Sequence, residues 1–153
     1  MDLQEIFDRT AAHLAKQKEK SVKLTMRLEG NITVCQYRGE RDLKCAFGVF
    51  IPDEVYSPDL EGYTCVTLLE EAQRVLFDGE LDSGIRLSLA ITPEFTRAMA
   101  PLIPFKNELR ALQKIHDEGK PYQWAWLLNR FANEHGLNFK VLDFEAELGA
   151  VEP

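Results

Sequence analysis

The chain lacks any apolar run approaching the roughly 20 residues that cross a bilayer. It begins MDLQEIFDR, without a basic and then apolar leader, so neither a membrane span nor a signal peptide is expected. It also lacks an even set of cysteines. The three present, Cys35, Cys45 and Cys65, cannot form a closed disulfide framework, and they read as reduced thiols of a cytoplasmic protein. Positive charge is in deficit: 18 Lys and Arg stand against 25 Asp and Glu, a net charge of −7, which argues against broad binding to nucleic-acid phosphates and leaves room only for a local basic patch. The acids are not gathered into the dense stripes of a DNA mimic. They alternate with cations, as in DRTAAHLAKQKEK, the pattern of a solvated surface. There is no glycine-rich phosphate loop, no G-x-S-x-G elbow, no H-E-x-x-H and no C-x-x-C pair, so no cofactor is implied.

At 153 residues, 45% apolar and 28% charged, the chain suits one hydrophobic core and one domain. Leu3, Ile6, Phe7, Ala11 and Leu14 recur at helical spacing behind Asp2 and Glu5, which stand in a capping-box arrangement. From Val22 the period becomes two. The Val22–Leu28 and Ile32–Val34 runs flank Glu29-Gly30-Asn31 and predict an antiparallel hairpin over about residues 22–37. Further helices are expected over about 66–76, from Thr92-Pro93-Glu94, over 105–118 and over 121–135, the last closed by Gly136. FKVLDF (139–144) reads as a final strand, and the acidic tail 145–153 is expected to fray. The fold class is therefore α+β, a helix-rich single domain around a small antiparallel sheet.

The segment from Cys35 to Gly62 concentrates the distinctive chemistry. Two cysteines, a cluster of cations and the apolar run KCAFGVFI precede an acidic, proline-punctuated turn. That run is apolar on both strand faces, so periodicity leaves strand and short helix both open. The pattern C-x-Y-R-G-x(4)-K-C-A-x-G-x-x-I-P-D, continued by LQKIHD (112–117) and ANEHGL (132–137), resembles a family of small uncharacterised proteins of bacteria and their phages. The resemblance implies no activity, and it favours helix for the apolar run.

Four constellations could carry chemistry. Cys45 follows Lys44, Arg41 and Arg38, cations that would lower a thiol pKa. With His116 and Asp117, or with His135, as base it would be the nucleophile of a cysteine-dependent hydrolase or transferase. Against this, a cysteine in an apolar run is usually a small core hydrophobe. Cys35, Cys45, His116 and Asp117 are chemically suited to zinc, at poor spacing. Arg38, Arg41 and Lys44 could hold a small anionic ligand. Finally, Tyr122 and Trp126 fall opposite the apolar stripe through Trp124, with Arg130 beside them, which implies either burial on both sides of the helix or a recognition surface, since such residues anchor interfaces. Together with the resemblance, this last face makes a non-catalytic accessory protein that binds a host or phage protein the leading reading. The residues specify no oligomeric state.

Overall fold

The computed structural model describes residues 1–27, 30–79 and 85–153. Helix α1 (Leu3–Gln17) opens on the expected capping box. The Asp2 carboxylate accepts the Glu5 N–H at 2.9 Å, and the Glu5 carboxylate accepts the Asp2 N–H at 2.7 Å. Its 3.6-residue period buries Ile6, Phe7, Ala11 and Leu14. Strands β1 (Val22–Arg27) and β2 (Gly30–Cys35) form the antiparallel hairpin, paired from Val22 opposite Cys35 to Arg27 opposite Gly30. The Leu28–Glu29 part of the predicted turn lies outside the described residues. Leu24 is 61% exposed, so at that position the apolar alternation of β1 faces water rather than a core.

Residues 36–64 form neither sheet nor α-helix. They run through four short 3-10 turns, at Glu40–Asp42, Gly48–Phe50, Asp53–Val55 and Pro58–Leu60. The apolar run is resolved as irregular backbone around one such turn, with Cys45, Ala46, Phe47, Phe50 and Ile51 all buried. An irregular buried segment needs side chains to satisfy its backbone polar groups. Here the Glu61 carboxylate accepts the Tyr37 and Arg38 N–H groups and the Tyr56 hydroxyl. Gln17 bonds both the N–H and the C=O of Lys44, and His13 Nε2 donates to that same carbonyl at 2.8 Å.

Helices α2 (Cys65–Phe77), α3 (Ile85–Ala90) and α4 (Pro93–Met99) follow. The start of α4 is as predicted: the Thr92 hydroxyl accepts the Phe95 N–H, and Pro93 occupies the first turn. Around Pro101 and Pro104 the chain tightens into a 3-10 segment, Ala100–Phe105, before α5 (Lys106–Glu118). Helix α6 (Trp124–His135) ends at Gly136, whose φ of 65° is the left-handed conformation that glycine adopts without strain.

The last element departs from expectation. Val141–Leu148 is a helix, α7, rather than part of a strand, and it takes in half of the acidic tail. Phe144 and Leu148, four apart, are both buried, and Phe139 bridges Phe7 at 5.2 Å and Phe144 at 5.6 Å between ring centroids. The i, i+4 pair closes against α1, whereas a strand here would need an edge to pair with, and the described sheet holds only β1 and β2.

Candidate functional site

Helix α5 turns Leu109, Leu112 and His116 inward, and its last turn is the hub of a long-range polar network. His116 is fully buried. Its Nε2 accepts the Ser21 backbone N–H at 3.1 Å, which places the ring proton on Nδ1, and Nδ1–H donates to Asp117 Oδ1 at 2.9 Å. The same oxygen accepts from Gln113 Nε2 at 2.5 Å, while Gln113 Oε1 accepts the Phe47 N–H at 2.8 Å. The Ser21 hydroxyl donates to the Leu43 carbonyl, and Lys20 Nζ donates to the Asp117 carbonyl. The entry to the hairpin, the apolar run and α5 are thereby tied to one carboxylate.

The Cys35 thiol sits beside that carboxylate. Its sulfur, the His116 ring nitrogen and an Asp117 oxygen lie within 4.8 Å of one another. Three of the four residues suited to zinc therefore meet, and Cys45 is not among them. The ring geometry opposes a metal all the same. With Nε2 engaged by an amide N–H, Nδ1 must carry the proton, and it has no lone pair in the ring plane to offer. Coordination would require breaking the Ser21 bond. Burial, followed by the adjacent Asp117 carboxylate, pushes the Cys35 thiol up to about 12, so it stays protonated at neutral pH.

The nucleophile pairing also fails on geometry. Cys45 is 1% exposed, its sulfur accepts the Gly48 N–H at 3.2 Å, and burial pushes its pKa up rather than down. The cations expected to activate it are engaged elsewhere. Arg38 donates to the Gly48 and Ile51 carbonyls and to Asp53, and lies over the Tyr56 ring. Arg41 forms a two-pronged pair with Glu19, and Lys44 pairs with Asp53 at 3.3 Å. His116 has both ring nitrogens committed. Arg38 and Lys44 thus share Asp53 while Arg41 pairs with Glu19, so the three cations each already face a carboxylate.

The structure instead brings all three cysteines to one cleft of about 750 Å³ between β2, residues 61–66 and α5. Cys65, the first residue of α2, has its thiol pushed up to about 11 by burial, against the opposing pull of its neighbouring backbone N–H groups and Arg110. Sequence reasoning passed over Cys65, Arg110, Gln113 and Glu61. Gln113 stands in LQKIHD and Glu61 in the Cys35–Gly62 segment, but neither stretch states a role, and each of the four acquires its role from partners that the fold supplies.

A second feature lies on α6. Trp124, Leu128 and Phe131 are buried on one side, while Trp126 is 63% and Tyr122, just before the helix, 40% exposed. The Arg130 guanidinium lies 5.7 Å from the Trp126 ring centre and pairs with Glu134. The Lys120 ammonium lies 5.9 Å from that of Tyr122. No helix of the described residues is long and apolar enough to cross a membrane. No protein-family model, curated protein or solved structure matches the chain.

Proposed function

We propose that the protein is a non-catalytic binding protein whose outer α6 face docks a protein partner. One observation carries this: a tryptophan 63% exposed on a helix whose opposite side already buries another tryptophan completely. A tryptophan offers roughly 150 to 250 Å² of surface. Covering the exposed part of Trp126 would therefore contribute about 2 to 4 kcal/mol at about 25 cal/mol per Å². That is the scale of an interface hot spot, and Trp, Tyr and Arg are the residues that supply them. Lys120 and Arg130 flank the two rings, which suits a partner presenting an apolar socket with an acidic rim. The resemblance of the Cys35–Asp53 segment to small phage and bacterial proteins extends the reading. It favours an accessory protein of the bacterial cytoplasm acting on a host or phage protein, in host takeover or counter-defence.

The test is the double substitution Tyr122→Ala, Trp126→Ala. Its melting temperature should stay near that of the wild type, because exposed anchors contribute to association rather than folding. A pull-down from bacterial lysate with mass spectrometry should show a partner captured by the wild type and lost from the variant. A collapse in melting temperature would show the rings to be core, and capture that survives the substitution would place the interface elsewhere.

A further inference from the structure

We propose that the cleft between β2, residues 61–66 and α5 binds a small organic anion with an apolar body, held at its charged end by Arg110. At about 750 Å³ the cleft falls within the range of ligand sites, roughly 300 to 1,000 Å³. None of Tyr122, Trp126 and Arg130 lines it, so it is separate from the α6 face.

The charges around it are unequal in a telling way. Glu61 is spent on two backbone N–H groups and the Tyr56 hydroxyl. Asp117 is spent on Gln113 and His116. Glu118 pairs with Lys114 at 3.7 Å. Arg110, exposed on α5, makes no hydrogen bond or ion pair with any described residue. Every carboxylate of the cleft thus has its donors, and one guanidinium has no acceptor among the described residues. A guanidinium presents parallel N–H groups that fit a carboxylate or a phosphate in two-pronged fashion. Arg110 lines the same cleft as Cys65, at its exposed edge, so a ligand bound there would meet the guanidinium at the solvent side.

The remaining walls define the rest of the ligand. Cys35 and Cys65 remain neutral thiols and behave as small hydrophobes, and Val34, Val66 and Tyr63 add apolar surface. An oxyanion at Arg110 would leave the body of the molecule against these groups.

Benzoate and phenyl phosphate serve as probes, with benzyl alcohol as the neutral control, each titrated into ¹⁵N-labelled full-length protein and followed by amide chemical shifts. The expected result is a saturable shift of the amides of residues 63–66 and 110–117 with one or both anions, and none with benzyl alcohol at equal concentration. The stronger of the two anions tells whether carboxylate or phosphate is the preferred head group. Arg110→Gln, at an exposed position, should weaken binding tenfold or more, and Arg110→Lys should fall between. Absence of saturable shifts with both anions, shifts mapping to other residues, or equal affinity in the wild type and both variants would overturn the assignment.

Discussion

Replacing Gly48 by alanine sets two effects of opposite sign against each other. An alanine is conformationally poorer than glycine in the unfolded chain, and where the native backbone accepts it the change stabilises by about 0.4 to 1 kcal/mol. Gly48 lies in a 3-10 turn and is not among the positive-φ residues, so local backbone geometry permits the exchange. Tertiary packing does not. A methyl group there would sit 2.3 Å from the Tyr37 carbonyl oxygen and 3.0 Å from its Cα and carbonyl carbon, and reaching ordinary contact requires the two segments to part by roughly 1 Å. Neither can yield easily. Tyr37 is held through its N–H by Glu61, through its hydroxyl by the Tyr63 carbonyl and through its ring edge by Phe47. Gly48 is held by the Cys45 sulfur on its N–H and the Arg38 guanidinium on its carbonyl. Overpacking costs about 1 to 3 kcal/mol, and a clash with pinned backbone belongs at the upper end. The net expectation is a destabilisation of about 2 kcal/mol, or roughly 4 to 8 °C in melting temperature for a chain of this length. Circular-dichroism melting and a urea midpoint that falls at constant m-value would register it. A melting temperature equal to or above that of the wild type would refute the close approach of Tyr37 and Gly48, and with it the account of how the apolar run is seated.

The thiols and the Asp117 hub supply further expectations. Iodoacetamide labelling of the folded protein should remain slow at pH 8.5, where a free thiol is about half ionised, and rise only as the pH approaches 11 to 12; half-maximal labelling near pH 6 would restore an activated nucleophile. Because the folded thiol pKa values lie above the unfolded value, the unfolded chain releases these protons first. The stability they contribute is complete below about pH 8.5 and is lost as the pH rises through 11 to 12, so a urea midpoint constant between pH 8.5 and 11 would contradict the burial of Cys35 and Cys65. Asp117→Ala leaves the His116 Nδ1–H and the Gln113 amide without their acceptor and should cost about 1 to 3 kcal/mol, whereas Asp117→Asn keeps an oxygen in place and should cost less; equal losses would show that the network does not run through that oxygen.

The sequence by itself determined the elements whose signals are local. Asp2 and Glu5 start α1 because their hydrogen bonds close within four residues, Gly136 ends α6 because its own backbone takes the left-handed turn, and the alternation from Val22 needs only its neighbouring strand to become a hairpin. Periodicity likewise sets Trp126 opposite Trp124 on α6, while Tyr122 stands in the Pro121–Gln123 turn just before that helix. The tertiary structure decided everything that depends on partners distant in sequence. FKVLDF could alternate as a strand or present Phe144 and Leu148 as a helical pair, and packing of Phe139 on Phe7 from the other end of the chain accompanies the helix. Cations counted as activators of Cys45 became partners of Glu19 and Asp53, since a charge is assigned by whichever opposite charge the fold brings near. The proton on His116 is placed by a backbone N–H 95 residues away, and three cysteines spaced 10 and 20 residues apart share one cleft. No periodicity encodes such meetings, because they exist only after the chain has closed its long loops.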